Sequence, residues 1–314
     1  MHDVEIMRRM GEADIAAISL LVEAASVADG HRALGEHQWL DLVQGGREGF
    51  AGFVARESGH EHVIAYAQIS KGKDASWAVE YVVHPRWRSK SAGLQEKLLS
   101  TALGEIASQG GGHVHLWVPK PGPTNDAVAE AVGMRRGRDL VQMRRPLPIT
   151  AESAQITVRT FRVGEDEPGW LEVNNRAFRG HPEQGSWDLA TLAERERQPW
   201  FDTAGFLLHE REGRLAGFCW TKIHEPDEDE DDEGAHPLGE IYVVAVDPDF
   251  QGRSLGRQLV LAGLASLFDR GVRTGMLYVD RDNGTARKLY MSLGFADDHV
   301  DRAYVTDVAP AERS

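Results

Sequence analysis

Leu238-Gly239-Glu240-Ile241-Tyr242-Val243-Val244-Ala245-Val246 is an almost entirely apolar run, and Asp247-Pro248-Asp249-Phe250-Gln251-Gly252-Arg253-Ser254-Leu255-Gly256-Arg257 follows it directly. The run is rich in β-branched residues and is bounded by turn residues, a pattern that favours a buried strand. The Pro and Gly residues after it predict a turn, and an amphipathic helix pattern begins near Leu255. The stretch therefore predicts a strand, a turn and a helix in immediate succession.

The same order recurs in the first half of the chain. Residues 79–94 read Val-Glu-Tyr-Val-Val-His-Pro-Arg-Trp-Arg-Ser-Lys-Ser-Ala-Gly-Leu, with the same strand, proline, basic turn and glycine. Aligning Pro85 with Pro248 brings Gly93 onto Gly256. The duplication predicts a tandem repeat of one mixed α/β domain, with an N-terminal domain at 1–146 and a C-terminal domain at 153–314.

The turn before the predicted helix is suited to hold an anion. Several backbone N–H groups and a helix N-terminus point at one spot there, and small residues let a phosphate approach the backbone closely. Arg253 and Arg257 would add full positive charge. The spacing matches neither a P-loop nor a dinucleotide-binding glycine motif. We therefore expect a pyrophosphate site, with an ordinary strand-to-helix turn as the alternative.

Residues further along the chain extend this motif. A second strand pattern at 273–279 is followed by Asn283, Tyr290 and the pair Gly294-Phe295. Together with the turn, this order resembles the GNAT acetyltransferases, with Ser254 in place of the usual middle glycine. The resemblance implies two tandem GNAT domains with a mixed sheet in each, acetyl-CoA as the acetyl donor, and no metal. On local grounds alone, Asn283 is expected to cap the helix that follows it.

The resemblance also assigns residues to the expected acetyl-CoA site. Backbone N–H groups of one strand, exposed where two strands of the family's sheet splay apart, would bind the pantetheine arm and the developing oxyanion. The turn and the start of the last helix would bind the rest of the cofactor. The assigned residues are Val244, Ala245, Val246, Gln251, Gly252, Arg253, Ser254, Leu255, Gly256, Arg257, Asn283, Ala286, Arg287 and Lys288.

Two side chains of the second half are candidates for proton transfer. An amine acceptor arrives as an ammonium ion, so a carboxylate must accept a proton before the nitrogen can attack a thioester. Glu240 is suited to this role, and the Tyr290 phenol is suited to protonate the leaving thiolate. A surface carboxylate at a strand end and a Tyr that packs against Phe295 are the alternatives.

The first half lacks both groups in this alignment. Trp77 takes the place of Glu240, and superposing Gly133 on Gly294 puts Ala129 in the place of Tyr290. The N-terminal domain is therefore predicted to be catalytically degenerate. Its phosphate-binding groups could still form a second acetyl-CoA site, for which the candidates are Tyr81, Val82, Val83, Arg88, Ser91 and Gly93.

The tandem arrangement and the stretches 238–248, 181–185 and 277–279 make the chain resemble, more narrowly and over its whole length, tandem GNAT enzymes that acetylate the amine of an aminothiol pseudodisaccharide. The resemblance implies that Glu36, Glu183, Lys222, Glu240 and Tyr278 contact this small-molecule substrate. Carboxylates suit an acceptor with many hydroxyl groups and one ammonium ion, and a Lys suits its ring oxygens. An N-acetyltransferase for another small amine or peptide, and a regulatory protein that binds acyl-CoA without turnover, remain as alternatives.

Composition excludes other function classes. The chain has 314 residues, and 49 acidic against 35 basic residues give a formal charge of −14, which argues against nucleic acid and anionic membranes as partners and favours cationic substrates. The absence of a signal or membrane-spanning pattern predicts a cytoplasmic location, and we expect a monomer. The 13 His residues lack metal-ligand spacing. The acidic run from Glu225 to Glu233 predicts a solvated loop.

Overall fold

The computed structural model describes residues 3–46, 49–57, 59–60, 62–72, 76–90, 93–181, 184–225, 236–252 and 254–311, without the side chains of residues 36 and 37. The chain forms two compact units. The first contains Met1–Asp139 and Val300–Ser314, and the second contains Leu140–His299. Among the helices of the described residues, none is both long and apolar enough to span a bilayer.

The elements alternate in both halves of the chain. The strands are β1 (Val4–Met7), β2 (Ala51–Arg56), β3 (Val63–Lys71), β4 (Trp77–Val83), β5 (Gly112–Pro119), β6 (Arg135–Pro146), β7 (Arg159–Thr160), β8 (Phe206–Arg211), β9 (Arg214–His224), β10 (Leu238–Val246), β11 (Thr274–Asp280) and β12 (Ala296–Val308). The helices are α1 (Glu12–Asp29), α2 (Glu36–Val43), α3 (Leu94–Ser108), α4 (Pro123–Ala131), α5 (Glu167–Ala177), α6 (Leu189–Glu196), α7 (Leu255–Asp269) and α8 (Gly284–Ser292). Short 3₁₀ turns precede β8 and follow β4 and β10.

The sheet of the first unit is mixed. Strands β1 to β4 pair antiparallel in chain order, and β4 then pairs parallel with β5 only over Trp77–Val79. The neighbour of β5 on its other side is the C-terminal strand, since Asp301–Val308 of β12 pair antiparallel with it. Helices α1 and α2 cover one face and α3 covers the other, because their apolar residues belong to two different core clusters.

The sheet of the second unit repeats this arrangement. Strands β7 to β10 pair antiparallel in chain order, and β10 pairs parallel with β11 only over Leu238–Glu240. Residues Leu140–Pro146 of β6 then pair antiparallel with β11. Helices α5 and α6 pack against an aromatic core that includes Trp170 and Trp220, whereas α7 packs against β9 and β10. The mixed α/β fold expected from the sequence is confirmed.

The boundaries of the two units differ from the domain boundaries expected from the sequence. The last part of β6 belongs to the second unit and most of β12 belongs to the first. A boundary drawn along the chain at 146–153 follows the repeat, whereas the units follow backbone pairing between strands that are distant in sequence.

The loop alignment made from the prolines is wrong by two residues at the helix. Helix α3 begins after Gly93, with φ at 79°, and α7 begins after Ser254, with φ at 57°. Gly93 is therefore the counterpart of Ser254, and Gln95 and Glu96 are the counterparts of Gly256 and Arg257. The loop between the 3₁₀ turn and the helix spans residues 88–93 in the first unit and 251–254 in the second. Proline matching alone could not reveal this difference in loop length.

Ser254 adopts a left-handed conformation, with φ at 57°. The left-handed region is costly for a residue with a Cβ. Ser254→Gly is therefore expected to stabilise the second unit by about 0.5–1 kcal/mol, because Gly removes the strain but gains unfolded-state entropy. Thermal unfolding of both proteins tests this. Ser266→Gly, inside α7, is the control that should destabilise, and a Ser254→Gly midpoint at or below the wild-type value would contradict the expectation.

Candidate active site

Glu240 lies at the point where β10 and β11 separate. It is the last β10 residue paired with β11, opposite Met276, and it is 8 % exposed. The next residue, Ile241, faces α7, since a Cβ added to Gly263 would meet its side chain. Alternation along a strand then directs Glu240 to the opposite face, which α5 and α6 cover. Its carboxylate is thus buried at the opening of the sheet.

A β-bulge follows Glu240 immediately. Ile241 pairs with Thr221 and Val243 pairs with Trp220, so Tyr242 is the additional residue of β10. A bulge bends its strand and re-aims the side chains beside it. From Ile241 onward β10 keeps its pairs with β9 but has none with β11 among the described residues. The strand edge that contains Val244, Ala245 and Val246 therefore opens toward the gap between the two strands.

Four strands place a row of side chains across the face of Glu240. Lys222 of β9 is directly opposite Glu240, Met276 of β11 lies on the other side, and Arg144 of β6 is opposite Met276. Directly opposite residues of neighbouring strands share a face. The register therefore puts one carboxylate between two cationic residues of the same row.

His224 is a partner of Glu240 that the sequence analysis missed. Its Nε2 lies 2.7 Å from Glu240 Oε2, with the His side chain 35 % exposed and the Glu side chain 11 % exposed. The sequence contained a weak signal, because His224 follows Lys222 by two residues and so shares its strand face. Without the register of β9 and β10, that signal could not be connected to Glu240.

Aromatic rings surround the Lys222 end of the row. The Lys222 ammonium lies 4.5 Å from the centre of a Trp200 ring, a distance suited to a cation–π contact. Trp200 in turn packs against Trp220 and against Tyr242 of the bulge. This packing holds the lysine over the same face as Glu240.

Tyr278 and its partners border the row on the β11 side. Tyr278 follows Met276 by two residues and therefore shares its face. The Gln142 amide donates a 2.7 Å hydrogen bond to the Tyr278 hydroxyl, and Arg144 donates to the Gln142 carbonyl oxygen. Tyr278 is 38 % exposed, so it is accessible to a molecule that approaches this face.

The N-terminus of α7 is the place where the sequence predicts an anion site. The Ser254 side chain makes no capping hydrogen bond, and no acidic residue lies in the first turn. Gly256 lies in that turn without a positive φ, and a Cβ there would meet only ordinary contacts. Neither backbone conformation nor packing therefore requires this glycine, whereas a closely bound phosphate would.

Arg257 has a different environment from the expected one. Its guanidinium forms an ion pair with Glu152 and donates a 2.7 Å hydrogen bond to the Ser292 hydroxyl. Its charge was expected to lie beside the bound pyrophosphate. In the structure a carboxylate already neutralises it.

Helix α8 presents the remaining candidates. Asn283 caps it, because its side-chain oxygen accepts a 3.1 Å hydrogen bond from the Ala286 N–H, and this local expectation is confirmed. Arg287 pairs with Asp297, and Lys288 is exposed. Burial raises the pKa of Tyr290 to about 12, with a smaller contribution from Cys219. The phenol therefore stays protonated at neutral pH.

The first unit differs at each equivalent position. Because β4 lacks the bulge, its pairing with β3 equates Glu240 with Ala78 rather than with Trp77. Trp77 is fully buried on the α3 face and donates to the Gly111 carbonyl. Helices α4 and α8 do align as expected, with Ala129 in place of Tyr290. The first unit has neither a carboxylate nor a hydroxyl at these two positions.

A second acetyl-CoA site was expected in the first unit, but the positive charge of Arg88 there is already paired with a carboxylate. The Arg88 guanidinium makes two hydrogen bonds, of 2.6 and 2.7 Å, to the Asp29 carboxylate, and this pairing lowers the pKa of Asp29. Glu96 lies in the first turn of α3. A carboxylate there repels a phosphate. Tyr81, Val82 and Val83 lie beyond the last β4 pair with β5, as the strand-edge candidates do in the second unit.

Some expected site residues lie outside the described residues. These are Ser91, Glu183, Arg253, the side chain of Glu36, and the acidic run apart from Glu225. Within the described part of the chain, no group of three or more His, Cys, Asp or Glu side chains is placed to hold a metal ion.

Known proteins are similar to this chain in fold and in sequence. Residues 169–295 match the acetyltransferase (GNAT) family. Similar structures include a GCN5-related N-acetyltransferase from Sphaerobacter thermophilus, with a TM-score of 0.72, 24 % identity, and coverage of 99 % of this chain and 98 % of the other. A tandem GNAT protein from the clavulanic acid biosynthesis pathway has a TM-score of 0.69 at 17 % identity and covers 99 % and 100 %. At such identities these structures support the fold alone.

Sequence relatives are more specific. The mycothiol acetyltransferase of Thermobispora bispora is 45 % identical over 305 residues, which cover 96 % of this chain and 98 % of the relative. The mycothiol acetyltransferase of Acidimicrobium ferrooxidans is 38 % identical over 306 residues, which cover 96 % of each. With this similarity over nearly its whole length, the chain belongs to the mycothiol acetyltransferase family of GNAT acyltransferases.

Proposed function

We propose that the chain transfers the acetyl group of acetyl-CoA to the cysteine amine of cysteinyl-glucosaminyl-inositol and so produces mycothiol. The observation that carries this proposal is the buried Glu240 carboxylate at the point where β10 and β11 separate. The names of the relatives support the product.

Glu240 acts as the general base. The acceptor arrives as an ammonium ion, which has no lone pair, and Glu240 takes one of its protons directly or through water. The resulting amine attacks the thioester carbonyl, and a C–N bond forms. The oxyanion of the resulting tetrahedral intermediate is stabilised by backbone N–H groups of Val244–Val246, where β10 has no β11 partner.

Tyr290 acts as the general acid when the tetrahedral intermediate collapses. The C–S bond breaks, and the phenol donates its proton to the leaving thiolate. Its pKa of about 12 keeps it protonated before this step. A second proton leaves the former ammonium nitrogen and restores the phenol through solvent, so that turnover releases one proton, coenzyme A and the amide.

The residues present fit acetyl-CoA as the donor. Its pyrophosphate would lie at the N-terminus of α7, with Gly252 and Gly256 allowing close approach. Gln251, Ser254 and Leu255 belong to the same turn, and Asn283, Ala286, Arg287 and Lys288 form the start of α8. Bound acetyl-CoA supplies the activated thioester, and the chain's own groups supply orientation and proton transfer.

Lys222 and Tyr278 contact the acceptor. Both share the sheet face of Glu240, and each is held by a neighbour, Lys222 by Trp200 and Tyr278 by Gln142. An ammonium and a phenol are donors suited to sugar and inositol oxygens. Glu36 and Glu183 complete the proposed acceptor site on the basis of the family resemblance.

The first unit is proposed to be catalytically degenerate, in a chain that acts as a monomer in the cytoplasm. Ala78 and Ala129 supply neither a base nor an acid where Glu240 and Tyr290 lie in the second unit. Acetyl-CoA bound there would therefore not be turned over.

A comparison of acceptors tests the proposed substrate. We expect kcat/KM for cysteinyl-glucosaminyl-inositol to exceed that for cysteine methyl ester by about 10²-fold, because two to three additional polar contacts contribute about 1 kcal/mol each. Acetyl transfer is measured by release of free coenzyme A and by mass spectrometry of the product. Equal rates for both acceptors, or a faster peptide amine, would contradict this substrate. Acetyl-CoA binding without any transfer would favour a regulatory protein.

A further inference from the structure

The contact between His224 and Glu240 suggests a role that neither the sequence motifs nor the family resemblance assigns. Nε2 of His224 is 2.7 Å from Glu240 Oε2. The register explains the contact, because His224 is opposite Leu238 and therefore lies diagonal to Glu240 on the same face. An ionised carboxylate can only accept a hydrogen bond, so the ring N–H donates to it.

We propose that His224 is a positioning residue for the general base, which it keeps ionised and oriented so that the second carboxylate oxygen faces the acceptor amine. This proposal rests on the proposed function of Glu240. It assigns no proton transfer to His224, since a nitrogen that already donates to Oε2 has no lone pair available there.

Burial makes such a partner necessary. Water stabilises an exposed carboxylate, but the Glu240 side chain is only 11 % exposed. A buried carboxylate without a donor is driven toward its neutral form, in which it cannot accept the ammonium proton. A hydrogen bond from a neutral or charged imidazole favours the ionised form. The imidazole, at 35 % exposure, remains in contact with solvent while it keeps this hydrogen bond.

Other charged and titratable groups share this face. Lys222 is opposite Glu240 on β9, Arg144 occupies the same row on β6, and Tyr278 lies on β11. The two cations also favour an ionised Glu240. Each has its own partner, however, since Lys222 stacks on Trp200, and Arg144 donates to Gln142 and lies 3.5 Å from Asp298. Within the described part of the chain, Glu240 contacts His224 at hydrogen-bond distance.

The pH dependence of kcat/KM distinguishes this role from simple structural support. His224→Leu removes the donor, so the pH at which kcat/KM falls on the acid side is expected to rise by about one to two units. The activity at pH 6 would then fall at least about tenfold relative to the activity at pH 9. His224→Gln places an amide N–H near the position of Nε2 and is expected to recover at least half of this displacement.

His209→Leu is the matched control. His209 is a partly exposed His on β8 whose ring contacts the Thr157 carbonyl oxygen, away from the Glu240 row. His209→Leu is expected to leave the pH at which kcat/KM falls on the acid side at its wild-type value. Thermal unfolding of all three variants identifies any that fails to fold. If His224→Leu does not fold, His224→Ala, which also removes the donor, takes its place in the comparison.

Two outcomes would overturn the proposal. One is an acid limb that stays at the wild-type pH in His224→Leu, whatever the change in the plateau. The other is the same displacement in His224→Gln as in His224→Leu. Failure of the proposed function is separable from both, because Glu240→Gln would then retain the wild-type rate of acetyl transfer. If Glu240→Gln is inactive and His224→Leu keeps the wild-type profile, only the role of His224 is wrong.

Discussion

Replacing Glu240 with Gln is expected to lower kcat/KM for acetyl transfer by about 10²-fold or more at pH 7, in the range typical of a lost general base. Gln preserves the shape of the side chain and can still accept the His224 hydrogen bond, but it cannot take a proton. Steady-state coenzyme A release, measured between pH 6 and pH 9.5, gives the effect. The difference in kcat/KM between Glu240→Gln and the wild type should become smaller at high pH, because more of the acceptor amine is then already neutral.

The control for this variant is Glu172→Gln, an exposed carboxylate on α5 of the same unit. It removes the same charge but no group of the site, so its kcat/KM is expected to stay near the wild-type value. Acetyl-CoA affinity should be similar in all three proteins, since Glu240 faces the acceptor. A Glu240→Gln enzyme with the rate of the control would exclude Glu240 as the base.

Replacing Glu80 with Gln is expected to stabilise the first unit at alkaline pH. Glu80 lies on β4, and its Oε2 accepts a 2.7 Å hydrogen bond from the N–H of Gly35, which immediately precedes α2. Desolvation raises the pKa of Glu80 to about 7, and the Gly35 hydrogen bond opposes this only in part. The Gln carbonyl oxygen can accept the same hydrogen bond without ever carrying charge.

The direction of the pH dependence follows from the raised pKa. The reference pKa of 4.5 applies to the unfolded chain and the value of about 7 to the folded one, so the folded state holds the proton more tightly. The stability from this group is present below pH 4.5 and is lost as the pH rises through 7. Glu80→Gln has no such loss. Its free energy of unfolding, relative to that of the wild type, should therefore increase by about 1–3 kcal/mol between pH 4.5 and pH 8.

Thermal unfolding at pH 5, 6, 7 and 8 measures this difference, at about 2–4 °C for each kcal/mol. Glu23→Gln, an exposed carboxylate on α1, should parallel the wild type at every pH. A constant difference between Glu80→Gln and wild type across this range would show that Glu80 does not titrate there. Because α2 also carries Glu36, acetyl transfer by the variant should be assayed in parallel.

Local sequence was sufficient for the elements that local interactions stabilise. The order of strand, 3₁₀ turn and helix around Pro248, the capping of α8 by Asn283, and the correspondence of α4 with α8 all follow from patterns within about 20 residues of chain. The duplication was visible for the same reason. Glu240 could be placed on a strand, but neither its face nor its neighbours could be derived.

The remaining features depend on contacts between residues that are far apart in sequence. The bulge at Tyr242 shifts the register so that Ala78, not Trp77, matches Glu240, and the shorter loop before α7 puts Ser254, not a glycine, in the left-handed position. The pairing of β6 with β11 and of β12 with β5 likewise has no local signal.

Patterns along the chain were enough to predict a duplicated mixed α/β fold with one candidate carboxylate and one candidate phenol in its second half. Three features became evident only from the folded chain, namely which strands close each sheet, the hydrogen bond from His224 to Glu240, and the neutralisation of Arg257 by Glu152. The physical reason is that turns, caps and periodicity are set by neighbours along the chain. Register, burial and ion pairing are set by which distant strands lie side by side.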